Sequence, residues 1–293
     1  MKFLLAHAAS GSRLRLDAAE SPGNDSLTIA VCQRGSAATV RAGTVALWCP
    51  VRGDARVVAG DCNVQLSRGD IFVTDAHGSH EVTVSNHGLC IGIVGTPQAW
   101  AATGRGRPGE SSAMALFPAV HRDKAALCRQ FLRFARLCVA DRDGLGGGHR
   151  AHVLAALVDE LQSGFREMIA RCPGSSLSRK NAVFLRLQRV RSYITACAHR
   201  DLDVASLALM ANYSVGHFIT TFRSVFAETP YSSVNRYRLE SASGLLSASE
   251  LGISDIAQSI GFQSRSSFNR AIKRHLGLSA SKYRETMREA LAR

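Results

Sequence analysis

The sequence SVGHFITTFR at residues 214–223 returns fifty positions later, at residues 264–273, as SRSSFNRAIK. In both copies a serine comes first, an aromatic residue follows after four positions, and a basic residue stands nine positions after the serine. Each copy is preceded by an apolar residue and an alanine, at 207–208 in the first and at 256–257 in the second. A unit that recurs in this way predicts one structural element built twice.

Each copy predicts a short helix, a tight turn and a second helix. Ser214 and Ser264 are expected to be N-caps, because a serine hydroxyl can accept a hydrogen bond from an unpaired N–H of the first turn. The aromatic residue begins the buried face, and Arg223 and Lys273 lie where they can reach a backbone phosphate. With a turn such as 261–263 (GFQ), this is helix-turn-helix geometry, in which the second helix can enter a major groove.

Residues 229–246, between the two copies, predict a long joining helix. Pro230 suits its first turn, where a backbone N–H is not needed. A buried side is expected from Val234, Tyr237 (or Arg238), Leu245 and Leu246. Such a helix would hold the two recognition helices apart on one face of DNA. A separation near ~34 Å would place them in successive major grooves.

The positive charge of the chain is concentrated beside this repeat. The 293 residues contain 36 Lys+Arg and 23 Asp+Glu, a net charge of +13. Residues 179–293 hold 17 basic and 8 acidic residues, a net of +9, whereas residues 1–178 hold 19 and 15, a net of +4. This excess favours a polyanionic partner, with nucleic acid ahead of an anionic membrane, and no apolar run reaches the ~18 residues of a membrane-spanning helix.

The N-terminal region predicts many short strands. Between residues 27 and 95, runs of β-branched and large apolar residues alternate with turns, among them a hairpin at Gly60-Asp61. This spacing is typical of a small barrel or jelly roll. Helical spacing follows at 124–139 and at 152–169, and the apolar stripe of the second helix would pack either on the barrel or on a partner helix. That stripe consists of Leu154, Leu157, Leu161, Phe165 and Met168.

The repeat resembles the DNA-binding domain of the AraC/XylS family of bacterial transcription regulators. The resemblance covers residues 185–288 and rests on both helix-turn-helix units, on 238–239 (RL) in the joining helix and on the closing 282–284 (KYR). It departs from the usual pattern in three positions: Ala227 where a glycine is usual, Ile272 for a phenylalanine and Ala280 for a proline.

The resemblance implies an α+β multidomain protein with three segments. Residues 1–105 would form a cupin-like β-barrel that acts as a sensor, 106–178 a helical linker and dimerisation segment, and 179–293 an all-α DNA-binding domain with two helix-turn-helix units.

The resemblance also assigns DNA-contacting positions. On the first recognition helix these residues are small or apolar and can offer a thymine-methyl contact or one hydrogen bond, whereas the second offers Arg for guanine and Asn for adenine. Direct specificity is therefore expected mainly from the second unit, the alternative being that its arginines are solvated or bind phosphates. The groove-facing positions are Gly216, Ile219, Thr220, Arg265, Ser266, Asn269 and Arg270, with His217 nearby, and the expected phosphate contacts are Arg223, Lys273, Arg274 and Lys282.

The N-terminal barrel offers weaker evidence for a binding site than the repeat does. The spacing of His77, His80 and Glu81 lacks the paired motif of a metal-binding cupin, and strand alternation would turn the last two to opposite faces. No metal, cofactor or enzymatic activity is therefore predicted, and no nucleophile elbow or phosphate loop occurs. An effector pocket in the barrel would have Trp48, Arg52, His77 and His80 at its rim, although Trp48 could equally be plain core.

The sequence thus predicts a cytoplasmic, nucleoid-associated transcription regulator, an activator, that binds promoter DNA and meets RNA polymerase. Its barrel would bind a small effector, and the helix at 152–169 would form a homodimer. Two alternatives stay open: an effector-free regulator whose N-terminal region is a scaffold or partner-docking surface, and a metal-dependent cupin enzyme fused to a DNA-binding domain.

Overall fold

A computed structural model describes residues 1–16, 26–60, 62–104, 115–140 and 146–291. The chain divides into two compact units, Met1–Ser192 and Tyr193–Arg293. In the described ranges no helix is both long enough and apolar enough to cross a membrane. The predicted boundary after residue 178 lies near the start of a helix, Leu177–Cys197, that runs across this division.

The N-terminal unit contains two β-sheets. Six strands follow the order β1-β3-β10-β5-β8-β11, and five follow the order β2-β4-β9-β6-β7. The predicted hairpin is confirmed, since β6 and β7 pair antiparallel and Gly60 has a positive φ of 55°. The strands are β1 Lys2–Ala8, β2 Arg13–Leu16, β3 Ser26–Gln33, β4 Ala37–Val40, β5 Val45–Arg52, β6 Ala55–Ala59, β7 Cys62–Leu66, β8 Ile71–Val73, β9 His80–Val84, β10 Leu89–Gly95 and β11 Ala119–His121.

These sheets make a mixed β domain that is consistent with the predicted barrel; whether it is a cupin stays a prediction. One face of the six-stranded sheet packs with the first three helices of this unit in a single apolar core. The helices are α1 Pro97–Thr103, α2 Ala125–Ala140, α3 Gly147–Gln162 and α4 Arg166–Ala170. The spacing prediction for α2 is confirmed, because Phe131 and Phe134 are buried in that core.

The predicted helix at 152–169 differs from the observed one. Helix α3 begins at Gly147 and ends at Gln162, and a 3-10 turn, Ser163–Phe165, separates it from α4. Its three buried leucines pack in the core of their own unit, in agreement with the packing alternative for this stripe, whereas Phe165 and Met168 are half-buried outside that core, and dimerisation stays a prediction. These leucines are Leu154, Leu157 and Leu161.

The C-terminal unit is all-helical, as expected. Its two short leading helices bury the apolar–alanine pairs of the repeat, and each is followed by a recognition helix. Helix α5, Leu177–Cys197, lies mostly in the N-terminal unit and reaches this one from Tyr193. The helices that follow are α6 Val204–Met210, α7 Val215–Phe226, α8 Pro230–Ala248, α9 Ile253–Ser259, α10 Arg265–Leu276 and α11 Ala280–Leu291. The predicted joining helix is α8, with Pro230 in its first turn and Val234 and Leu246 buried.

Candidate nucleic-acid interface

The second recognition helix, α10, has a capped start and a clear division of faces. The Ser264 hydroxyl accepts a hydrogen bond from the backbone N–H of Ser267 at 3.1 Å, as predicted for an N-cap. Phe268 and Ile272 are fully buried against the joining helix and α9, which fixes which side of α10 faces outward. All six predicted DNA-contacting residues of this helix are exposed: Arg265, Ser266, Asn269, Arg270, Lys273 and Arg274.

Four cations lie on this helix without a protein partner. In the described part of the chain, no hydrogen bond or ion pair engages the side chains of Arg265, Arg270, Lys273 or Arg274. Lys273 and Arg274 also stand in the last turn, where positive charge is favourable beside the helix C-terminus. Their charges are therefore available to an external anion.

The first recognition helix, α7, has the same buried side but a different exposed one. Phe218 and Phe222 are fully buried. Gly216 and Thr220 are exposed and Ile219 is half-buried, in agreement with the helical register predicted for them. The exposed side thus offers small and apolar groups rather than hydrogen-bonding forks.

Two further side chains complete this face of α7. The ring of His217 lies 4.7 Å from the ring of Tyr213, which restrains the imidazole. Arg223 is exposed and is the one Lys or Arg residue in Val215–Phe226. The face therefore has a single permanent cation, where α10 has four.

The predicted N-cap of α7 is wrong in one respect. Ser214 occupies the N-cap position with extended backbone angles, but its hydroxyl makes no capping hydrogen bond. Pattern alone located the residue correctly, whereas the side-chain rotamer depends on local packing that the pattern does not contain.

The C-terminal ends of the two recognition helices have one backbone shape and different residues. Ala227 ends α7 in the left-handed region at φ 60°, and Gly277 ends α10 at φ 75°. Glycine adopts this region freely, whereas an alanine Cβ approaches the following carbonyl oxygen. The departure from the family pattern at Ala227 is therefore a position of backbone strain.

The two turns differ by one residue. Asn212, at φ 57°, and Gly261, at φ 86°, each follow the leading helix, and one more residue separates Gly261 from its N-cap serine. This extra residue explains why the leading helices repeat at an offset of 49 and the recognition helices at 50. At Gly261 a Cβ would lie 2.6 Å from the carbonyl oxygen of His199, so the close approach requires glycine.

Arg238 on the joining helix holds the start of the C-terminal unit to its second turn. Its Nε donates to the carbonyl of Ala198 at 2.6 Å and its Nη2 to that of Arg200 at 2.7 Å, just beyond the end of α5. The guanidinium also lies 6.0 Å from the ring of Phe262. Sequence reasoning recognised this arginine only as part of a motif, because its acceptors lie about forty residues away.

An ion-pair cluster at the start of the joining helix was not predicted. Arg236 donates to both carboxylate oxygens of Glu228, at 2.9 and 3.1 Å, and to Glu240 at 2.8 Å. The Ser233 hydroxyl donates to the same Glu228 carboxylate at 3.0 Å. The Glu228 carboxylate raises the pKa of Arg236, and the positive charge of Arg236 is paired with carboxylates inside the protein. Arg236 is thus a structural cation rather than a DNA contact.

Lys282 differs from the other predicted phosphate contacts. Its Nζ lies 2.7 Å from a carboxylate oxygen of Glu285, and this hydrogen bond raises the pKa of the exposed lysine. A phosphate would have to compete with that carboxylate, so we expect Lys282 to be the weakest of the four predicted phosphate ligands.

The four residues predicted to line an effector pocket do not come together. Trp48 and His80 are both buried, and the indole Nε1–H donates to His80 Nε2 at 3.0 Å. The indole also lies directly over Gly92, where a Cβ would overlap it. Burial lowers the pKa of His80 to about 4, so its ring is neutral near pH 7 and can accept this bond.

The other two residues lie elsewhere on the N-terminal unit. The Arg52 Nε donates to the carbonyl of His87 at 2.8 Å on the surface. His77 is exposed, with its Nδ1 3.3 Å from Asp75 Oδ1. Among the described residues, no group of three His, Cys, Asp or Glu side chains is arranged to hold a metal ion. Trp48 is fully buried and is a core residue.

Comparison with known proteins agrees with the C-terminal geometry. Residues 207–286 match the family described as a helix-turn-helix domain. The MmsAB operon regulatory protein of Pseudomonas aeruginosa is 28% identical over 105 residues, which cover 36% of this chain and 34% of that protein. The RCS-specific HTH-type transcriptional activator RclR of Escherichia coli is 37% identical over 86 residues, which cover 29% and 30%.

The chain therefore spans about a third of the length of the curated relatives that it matches. Among solved structures, the DNA-binding domain of AdpA in complex with a target DNA is 28% identical, with a TM-score of 0.35, and the match covers 36% of this chain and 95% of that one. The C-terminal domain of AraT from Geobacillus stearothermophilus is also 28% identical, with a TM-score of 0.33 and coverage of 34% and 84%. Residues 207–286 are therefore a helix-turn-helix domain similar to those of AraC-family transcription regulators.

Proposed function

We propose that this chain regulates transcription by binding double-stranded promoter DNA in a sequence-dependent way. The single observation that carries the proposal is the exposed face of α10, where four unpartnered cations and an asparagine follow one helix. A helix of this kind fits a major groove, and a positively charged face supplies the affinity for the phosphate backbone.

On α10 the side chains divide into two roles. Arg265 and Arg270 each have a planar fork that can donate to O6 and N7 of guanine, and Asn269 can pair with N6 and N7 of adenine. Lys273 and Arg274 supply phosphate contacts, which fix the register of the helix without reading sequence. The first unit, with its small and apolar exposed residues, contributes docking and shape.

For the N-terminal unit, the interior of the sheets favours a scaffold or partner-docking role over a ligand at Trp48 and His80. The indole and the imidazole satisfy each other's polar groups, and Gly92 gives the indole its space. An effector that bound elsewhere in this unit would raise its melting temperature by mass action in a screen against metabolite pools. No shift with any pool would support the effector-free alternative.

The direction of regulation and the protein partner are part of the same proposal. The Escherichia coli relative is described as a transcriptional activator, and we propose activation with RNA polymerase as the partner for this chain as well. In vitro transcription from a bound promoter, with and without the protein, tests this step.

The decisive experiment compares base reading with phosphate binding. The full chain first selects duplexes from a random library, and the selected duplex is then measured with every single-base change. For Arg270→Ala we expect a loss of about 1–3 kcal/mol on the selected sequence, with discrimination lost at one base pair. For the control, Lys273→Ala, we expect a weaker and uniform loss. A uniform loss for Arg270→Ala would defeat base reading by that residue, and the absence of any selected sequence would defeat the proposed function.

A further inference from the structure

Helix α2 of the N-terminal unit has a stripe of three arginines on its solvent side. Arg129, Arg133 and Arg136 are spaced by four and three residues, which places them on one face of a helix, and all three are exposed. Phe131 and Phe134, on the opposite side, are buried in the apolar core. The packing of α2 therefore fixes the orientation of the stripe towards solvent.

The three guanidinium groups have no protein partner in the described part of the chain. Arg122, just before α2, is paired with Asp70. Three other exposed arginines of this unit have a carboxylate at 2.7 to 3.5 Å, in the pairs Arg13–Glu81, Arg166–Asp159 and Arg171–Glu167. Exposed arginines without an ion pair among the described residues also occur elsewhere in this unit, among them Arg15, Arg34 and Arg68. The stripe differs from these in holding three such arginines on one helix face.

The charge balance points to the same segment. Residues 122–140 contain five basic residues and one acidic residue, a net of +4. Residues 1–178 as a whole also have a net of +4, from 19 basic and 15 acidic residues, so the remainder holds 14 of each and is neutral. Within residues 1–178 the positive excess is therefore local to α2 and the turn before it.

We propose that the arginine stripe of α2 binds the phosphate backbone of duplex DNA that flanks the bases read by the C-terminal unit. The proposal rests on the proposed function and adds a second, sequence-independent contact to it. The three arginines extend over about 10 Å of helix, and the phosphates of one DNA strand follow each other at roughly 3.4 Å along the duplex axis. The stripe is therefore long enough to contact several neighbouring phosphates.

Two other occupants fit the stripe less well. A second copy of the chain, joined through the same face on both subunits, would bring like charges together. An anionic membrane surface is bound strongly by a helix that can also insert an apolar face, and the apolar face of α2 is already used by the core. DNA needs only the charges that the stripe presents.

The test measures how affinity depends on salt in the full chain. The selected duplex is used alone and with two helical turns, ~20 bp, of random flank on each side. The stripe variant carries Arg129→Gln, Arg133→Gln and Arg136→Gln. On the flanked duplex we expect its salt slope to fall by about 2.7, so that the wild type loses about 40-fold more affinity than the variant between ~50 and ~200 mM salt. On the short duplex the two proteins should behave alike.

The matched control removes the same number of charges from paired arginines of the same unit, with Arg13→Gln, Arg166→Gln and Arg171→Gln. An unchanged slope for this control supports the stripe as the contact. Equal losses in both variants would overturn the proposal in favour of general charge. An unchanged slope in the stripe variant, with its loss confined to binding of purified RNA polymerase, would overturn it in favour of a protein partner. If the wild type bound no duplex at all, the proposed function itself would fail.

Discussion

The two helix-turn-helix units share the residues they bury and differ in the residues they expose. Phe218 and Phe268 occupy the same position and are both fully buried. On the outer faces, Gly216 and Thr220 of the first unit correspond to Ser266 and Arg270 of the second. The repeat therefore preserves what the fold requires, and the chemistry that can contact DNA is concentrated in one unit.

The units also differ in how well the ends of their recognition helices are satisfied. Ser264 caps α10 with a hydrogen bond and Gly277 ends it without strain, whereas Ser214 makes no capping bond and Ala227 holds a strained angle. The helix that we propose to read the bases, α10, is thus the better supported of the two. A precisely held helix is useful where side chains must meet base edges at fixed distances.

The largest expected effect tests whether the two cores are equivalent. Phe218→Ala and Phe268→Ala should each lower the free energy of unfolding of the C-terminal unit by about 3–5 kcal/mol, because each removes a fully buried ring and leaves a cavity. Both tryptophans lie in the N-terminal unit, so the C-terminal transition is the one seen by far-ultraviolet circular dichroism and not by tryptophan fluorescence.

Equal losses for the two variants would show that the units are equivalent in packing and unequal only in charge. A loss that was small for Phe218→Ala and large for Phe268→Ala would contradict this, and would extend the difference between the units into their cores. Phe262→Leu, at a half-buried position, is the control and should cost less than either.

The next effect concerns phosphate binding. Lys273→Gln combined with Arg274→Gln should reduce the salt slope of DNA binding by about 1.8, and Arg223→Gln by about 0.9, because each contact releases about one counterion. Between ~50 and ~200 mM salt, the wild type should therefore lose about 12-fold more affinity than the double variant and about 3.5-fold more than Arg223→Gln. Lys282→Gln is the internal reference, since its charge is already paired with Glu285. A slope change for Lys282→Gln as large as for Arg223→Gln would contradict that order.

Short sequence patterns predicted those helices and turns that depend only on residues close together in the chain. The Gly60 hairpin, helix α2 and the two leading helices follow from turn chemistry and apolar spacing, and the structure contains all of them. The start of α3 at Gly147 was missed because glycine is a poor helix former and gives no start signal. The break at Ser163–Phe165 was missed because the apolar stripe continues through it.

At the candidate nucleic-acid interface, too, sequence predicted local positions but not contacts between distant residues. The exposed residues of α10 follow from helical register once Phe268 is taken as buried, so their positions could be predicted. The acceptors of Arg238 and the partner of Lys282 could not, since both depend on which groups the fold or a flexible side chain brings near. Trp48 on β5 and His80 on β9 are distant in sequence and belong to different sheets. Their hydrogen bond therefore depends on how the two sheets pack, which local sequence does not reveal.

A smaller effect separates the two N-caps. Ser264→Ala should lower the local stability of the first turn of α10 by about 1 kcal/mol, because the hydrogen bond to Ser267 N–H is lost. Ser214→Ala should lower the local stability of the first turn of α7 by only a few tenths of a kcal/mol, because there is no capping hydrogen bond to remove. Amide hydrogen exchange of the two turns in the full chain measures both values. Equal losses at the two serines would mean that Ser214 caps its helix in solution.

The smallest effects come from the helix C-termini, and they have opposite signs. Ala227→Gly should raise the free energy of unfolding of the C-terminal unit by about 0.5–1 kcal/mol, because relief of the left-handed alanine outweighs the added freedom of the unfolded chain. Gly277→Ala should lower it by about 1 kcal/mol, and this cost is one of backbone alone, since a Cβ at Gly277 meets no atom within 4 Å. The same circular dichroism transition reports both. If Ala227→Gly lost stability, the angle at the end of α7 would be held by side-chain contacts of the alanine, and the two helix ends would differ in packing as well as in strain.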